Sequence, residues 1–323
     1  MKEEARTLSG TGGPDIHLYV WHPDEDKSNG DAVQIIHGLG EHAGRYRRLA
    51  GSLTDAGYLV LAHDQRGHGR TAQRGIPGHF ADQDGWDKVV EDVERVRQEA
   101  KALRPDGRLI LLGHSMGSYV AQSYALRHPM NIEALVLSGS TFASRGQLRI
   151  FRIVAAIEKL RQGSAGRSRL LDKLSFGAFN KEFQPARTDF DWLSRDEAEV
   201  DAYVTDPLCG GQSTNQLWRD LTAGLMEISS VPALRQLPAS LPVYILGGEK
   251  DPVGGAKGLT RLYDAYREAG LAGTTLRLYP DGRHEMFNET NRDEVSADLL
   301  AWLRAPWEAR NSKTDQSSGG SAG

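Results

Sequence analysis

Seven short apolar runs constrain this chain more than any other feature. They are HLYVWH (17–22), AVQIIHG (32–38), YLVLAHD (58–64), RLILLGH (108–114), EALVLSG (133–139), PVYILGG (242–248) and TLRLYPDG (275–282). From residue 32 onward they are dense in valine, isoleucine and leucine instead of alternating with polar residues, as strands covered on both faces must be. Between them lie stretches with helical spacing, such as GWDKVVEDVERVRQEAKAL (85–103) and GLTRLYDAYREAG (258–270). Strand, helix, strand repetition predicts an α/β fold with a mostly parallel sheet and helices on both faces.

The rhythm breaks between Thr141 and Ser230, where no such run occurs and helical patterns take over. QLRIFRIVAAIEKLRQG places Leu148, Ile150, Phe151, Ile153, Val154, Ile157 and Leu160 on a broad apolar face. The expected organisation is therefore a core of 1–140 and 231–310, a helical cap of 141–230 across the carboxyl edge of the sheet, and a disordered tail at 311–323, which is polar and glycine-rich. The cap opens with basic residues, Arg145 to Lys173, and continues with acidic ones, Asp189 to Asp201. Such runs read first as solvated faces. The basic amphipathic stretch near Ile150 to Leu160 also raises peripheral contact with an anionic membrane, although an apolar face that roofs the site accounts for it more simply.

LILLGHSMGSYVAQS (109–123) turns a strand into a helix within a few residues, with Ser115 at the apex of G-x-S-x-G. So fast a reversal strains the apical backbone and needs small neighbours, and it would lift Ser115 Oγ above the sheet edge. A serine hydroxyl needs a base, and the base an acid, to become a nucleophile. In an open parallel sheet these gather beyond the carboxyl ends of the strands. PVYILGG is followed by Asp251 and TLRLYPDGR by His284, giving the order Ser, Asp, His. Glu249 is the fallback acid, and Asp281 reads as a turn residue. His114, within the elbow, is expected to point away from the site, while His37 and His63 end strands and organise loops. The backbone N–H groups of Met116 and Leu39, the latter in HGLGEHAGRY, are the expected oxyanion donors.

Composition narrows the alternatives. A net charge of −4, without a basic patch or tail, gives no footprint for nucleic acid. A single cysteine, Cys209, excludes an internal disulfide, and the N-terminus lacks an apolar signal region, so a cytoplasmic location is expected. Gly67-His68-Gly69 with Ala72 imitates a dinucleotide fingerprint, but no acid-tipped strand follows about twenty residues on. HEMFN, from His284, lacks the second histidine of a zinc helix. No cofactor and no metal are expected.

The motifs HGLGEHAGRY, AHDQRGHGRT, GHSMGS, DPLCGGQSTNQLWRDL, GGEKDPVGG and YPDGRHEMFNE, in this order from about 32 to 303, closely resemble the monoglyceride lipase and lysophospholipase branch of the α/β-hydrolase superfamily. The resemblance implies an α/β-hydrolase fold, Ser115 as nucleophile, His284 as general base and then acid, Asp251 as the orienting carboxylate, Leu39 and Met116 as oxyanion donors, and a cap forming an acyl-binding passage. Segment 141–205 departs from the family pattern. The expected partners are water and a small acyl ester, a monoacylglycerol or lysophospholipid. A general short-acyl carboxylesterase and a ligand-binding homologue without turnover are the alternatives.

Overall fold

The computed structural model describes residues 1–10 and 12–315. Its eight strands are β1 (Lys2–Leu8), β2 (Ile16–His22), β3 (Ala32–Ile36), β4 (Leu59–His63), β5 (Leu109–His114), β6 (Ala134–Ser138), β7 (Val243–Gly248) and β8 (Thr274–Tyr279). They form one sheet in the order β1-β2-β4-β3-β5-β6-β7-β8. β1 and β2 join antiparallel, and from β4 to β8 every pairing is parallel. All seven apolar runs are strands of this sheet. β1 has no counterpart among them.

Side chains alternate between two apolar layers, which explains the non-alternating sequence of the central strands. In β5, Leu109 and Leu111 enter one layer, and Ile110 and Leu112 enter the other. The first layer is closed by α3 (Gly85–Leu103), α4 (Met116–Arg127), α8 (Asn215–Ile228) and α10 (Gly255–Glu268), and the second by α1 (Arg47–Asp55) and α11 (Arg292–Asp315). One short helix, α2 (Gly69–Ala72), follows β4, and another, α9 (Val231–Leu234), precedes β7. Of the tail expected to be disordered from 311, residues 311–315 instead continue α11, and 316–323 lie outside the described residues.

Between β6 and β7 the described elements are helical: α5 (Arg145–Gln162), α6 (Arg169–Phe176), two 3₁₀ turns at Phe179–Phe183 and Asp191–Leu193, α7 (Glu197–Thr205), α8 and α9. α8 packs on α3 and α4 as part of the first layer, and α5 lies on α8. α5 turns Leu148 and Ala155 inward, while Ile150, Ile153, Ile157 and Leu160 are 50–87 % exposed. These four residues do not roof the site; they face outward, because α5 uses its other side to pack on α8.

Candidate active site

Strand order reverses direction around β3, whose neighbours are β4 and β5, and the crevice beyond such a reversal is where ligands bind in open α/β sheets. A cavity of about 500 Å³ opens there. It is lined by the loop after β3 (Gly38, Leu39, Gly40, Glu41), by His114 and Ser115 at the end of β5, by His284 after β8 and by residues of the helical segment between β6 and β7.

Ser115 has φ 51° and ψ −123°, a left-handed conformation that costs a non-glycine residue on the order of 1–3 kcal/mol. Its neighbours hold it there. The Ser115 N–H donates to Ser138 O at 2.9 Å, and Ser115 O accepts from Ser118 N at 2.8 Å and from Ser118 Oγ at 2.6 Å. Both elbow glycines are sterically required. A Cβ on Gly113 would stand 2.3 Å from Gly117 O, and one on Gly117 would stand 2.1 Å from Ile36 O.

His284 is buried, and its Nδ1 is 2.9 Å from Asp251 Oδ2, which fixes Nδ1 as the donor and leaves Nε2 as the second ring nitrogen. Burial disfavours the imidazolium, but the Asp251 charge and hydrogen bond outweigh it, so the His284 pKa is held above its ordinary value. Asp251 Oδ1 also accepts from Val253 N at 2.9 Å. Ser115 and His284 thus share one cavity, with Asp251 behind the imidazole. Glu249 and Asp281, the other acids near these strand ends, do not line it.

The loop carrying Leu39 is anchored by buried charge. Glu41 Oε1 accepts from Gly38 N at 2.6 Å and from Tyr46 Oη at 2.8 Å. Arg45 bridges Glu41 Oε2 at 2.8 Å and both Glu285 oxygens at 2.6 and 2.7 Å. Burial would push the Glu41 carboxyl up, but Arg45 and these hydrogen bonds hold it below the usual value. On the far side Gly40 O accepts from Gly210 N and Tyr203 Oη, each at 2.8 Å. Among the described residues no acceptor takes the Leu39 N–H, and Leu39 lines the cavity. Met116 opens α4, where the first N–H groups have no partner within the helix. His37 organises this loop as expected, its Nε2 accepting from Gln65 N at 2.9 Å.

One expectation fails. His114 lines the cavity and lies against His284, ring centroids 4.7 Å apart, instead of pointing away. The room comes from Gly139, where a Cβ would be 3.0 Å from Cε1 of both rings. Burial, aided by His284, pushes the His114 pKa down to about 4, so this ring is neutral at working pH.

Among the described residues, His42, Asp206 and Cys209 form the one group that could hold a metal ion. His42 Nδ1 accepts from Gly44 N at 3.2 Å, which leaves the proton on Nε2, 2.9 Å from Asp206 Oδ2. That tautomer offers an ion no lone pair, and the group reads as a cap on the 3₁₀ turn Ala43–Tyr46. The Gly67-to-Ala72 loop is likewise occupied by its own chain. Gly67 O accepts from Gly78 N at 2.7 Å, and Asp64 accepts from the amides of Ala43 and Arg70.

A family model described as serine aminopeptidase, S33, matches residues 27–291, most of the chain. The chain belongs to this family of α/β-hydrolases. The monoacylglycerol lipase of Mycolicibacterium smegmatis is 30 % identical over 297 residues, spanning 92 % of this chain and 95 % of that protein. Human monoglyceride lipase is 29 % identical, over 80 % of this chain and 76 % of its own. Among solved structures, a thermostable carboxyl esterase from Bacillus coagulans in complex with glycerol superposes with a TM-score of 0.87 at 24 % identity, covering 94 % of this chain and 99 % of that one. The monoacylglycerol lipase of Paleococcus ferrophilus superposes with a TM-score of 0.68 at 22 % identity, over 90 % of this chain and 99 % of its own. These last two likenesses speak for the fold. This monoglyceride lipase-like α/β-hydrolase is an enzyme that hydrolyses bonds, and no helix among its described residues is long and apolar enough to cross a membrane.

Proposed function

We propose that this hydrolase cleaves a single-chain carboxylic ester of the monoacylglycerol class through an acyl intermediate on Ser115. The observation that carries this reading is the imidazole of His284, bonded to Asp251 on one side and sharing with Ser115 a cavity whose wall includes Leu39, Phe176, Phe179, Phe190 and Val253. His284 Nε2 takes the Ser115 proton as Oγ attacks the ester carbonyl, and Asp251 stabilises the imidazolium that forms. The carbonyl oxygen, now an anion, accepts from the N–H groups of Leu39 and Met116. Collapse breaks the ester bond, and His284 returns the proton to the departing alcohol. Water, deprotonated by the same imidazole, then releases the fatty acid. Within segment 141–230 it is the stretch from Asp172 to Ser213 that covers this passage, while α8 belongs to the core layer.

Turnover of p-nitrophenyl esters and of monoacylglycerols by the parent and by Ser115→Ala tests the reading. The variant should lose on the order of 10⁶-fold in kcat; equal rates end the proposal. A profile peaking at acetyl or butyryl esters would reassign the enzyme as a short-acyl carboxylesterase. Hydrolysis confined to lysophospholipids would change the head group but not the mechanism.

The outward ridge of α5, Ile150, Ile153, Ile157 and Leu160, flanked by Arg149, Arg152 and Arg161, supports resting on an anionic lipid surface while substrate is collected. Co-sedimentation with phosphatidylserine vesicles at low salt should fall on Ile153→Glu. Absence of binding by the parent would dismiss it.

A further inference from the structure

His284 is clasped from the helical segment as well as from the sheet. Trp192, buried in the turn Asp191–Leu193, packs against the imidazole with ring centroids 5.1 Å apart and planes tilted at 41°. The backbones are joined too. Glu285 N donates to Leu193 O at 2.8 Å and His284 N to Trp192 O at 3.4 Å. The Arg283 guanidinium donates to Asp191 O and, at 3.0 Å, to Ser194 O. Trp192 also touches Phe179, centroids 4.9 Å apart, and Phe176 at 6.3 Å, and both phenylalanines line the substrate cavity. Trp192 N is held by Asn180 Oδ1 at 3.0 Å, fixing the turn against the phenylalanine-bearing segment.

A tryptophan face within about 6 Å of a cation attracts it through its quadrupole. In the reaction proposed above, the imidazole of His284 becomes a cation whenever it holds the serine proton. The ring opposite, His114, is neutral and supplies packing without charge.

We propose that Trp192 is a positioning residue that holds the His284 imidazole from the substrate side and stabilises its protonated form. This rests on the assignment of His284 as general base. Through Phe176 and Phe179 the same ring touches the wall against which an acyl chain packs, so the helical segment contributes to the base and not only to substrate choice. The charged and titratable groups around His284 are Asp251 after β7, His114 at the end of β5, Glu41 after β3, Glu285 beside it, and Arg283 with Asp191 at the junction with the turn. All are left in place when Trp192 is replaced.

The test uses the full chain and p-nitrophenyl butyrate, with Trp192→Leu and Trp192→Phe. For Trp192→Leu, kcat should fall about 2- to 30-fold and the acid limb of kcat should move down by about 0.4 to 1.5 pH units. Trp192→Phe, which keeps a ring, should recover part of both. A residue that merely shaped the acyl wall would raise KM and leave the limb in place, and that result overturns the proposal. Fluorescence supplies a readout without turnover. An imidazolium against the indole quenches it, so acidification should dim the parent at the midpoint of the acid limb, and the quench should vanish in Trp192→Phe. Identical quenching in both proteins also overturns the proposal. If Ser115→Ala keeps full turnover, the function itself fails; if it does not, a null result here removes only the role of Trp192.

Discussion

Replacing Asp251 by asparagine removes one charge from behind the imidazole and leaves the rest of its surroundings unchanged. His284 must be neutral to accept the serine proton, so kcat/KM rises with pH through the pKa of His284 in the free enzyme. In the parent that pKa is held above its ordinary value, because Asp251 at 2.9 Å outweighs burial of the ring. Without the carboxylate, burial is the dominant influence and favours the neutral ring, so the limb must move to lower pH. The size follows from Coulomb attraction. Two unit charges about 4 Å apart at an effective dielectric of about 20 attract by about 4 kcal/mol, a ceiling of about 3 pH units. Asparagine keeps a hydrogen-bond acceptor, and Glu41 and Glu285 remain, so a downward shift of about 1 to 2 units is expected. The plateau should fall on the order of 10⁴-fold, because the amide no longer fixes the tautomer or stabilises the imidazolium. A p-nitrophenyl ester profile from pH 4 to 9 measures both. A limb that stays in place or moves upward would refute the electrostatic reasoning, whatever happened to the plateau.

Gly117→Ala places a Cβ 2.1 Å from Ile36 O and 2.5 Å from His37 O, so α4 must shift by about 1 Å from β3. Urea unfolding should show a loss of at least about 1–3 kcal/mol, and kcat should fall on the order of 10²-fold as the elbow moves. Gly51→Ala on α1, where nothing stands within 4 Å of the added Cβ, should instead gain about 0.5–1 kcal/mol. Asp220, on α8, is buried with Oδ1 accepting from Gln216 Nε2 at 2.7 Å, and burial pushes its pKa up to about 7. The folded state therefore holds a proton that the unfolded chain releases near pH 4, and stability is lost as pH rises from about 4 to about 7. Asp220→Asn should flatten that decline in unfolding measurements across this range, and an unchanged slope would remove Asp220 as its source.

The sheet was largely legible because burial on both faces leaves long branched runs that few other environments select. β1 was not, since KEEARTL is an edge strand with no fully buried residue, held by antiparallel pairing to β2. Ser115, Asp251 and His284 could be singled out because each stands just past a strand, where topology forces the carboxyl ends together. The residues that tune them could not. His114 turns inward beside Gly139, distant in sequence, where a side chain would crowd its ring. The Arg45 bridge to Glu285 spans 240 residues, and Trp192 lies in a 3₁₀ turn with no strand or helix period to mark it. α5 shows the limit of periodicity. Its broad apolar face is divided between α8 and the exterior, a division that depends on where α8 packs. The strand-end acids and histidine carried a positional signal, whereas these contacts carry one only after folding.

The covalent step on Ser115 is the event on which every role assigned to the site depends. Rapid quenching of the enzyme with a p-nitrophenyl ester, followed by peptide mass mapping, should find the acyl mass on the peptide containing Ser115, accumulating in Asp251→Asn and absent from Ser115→Ala. An acyl group on another residue, or full turnover with Ser115 unmodified at every time point, would contradict it.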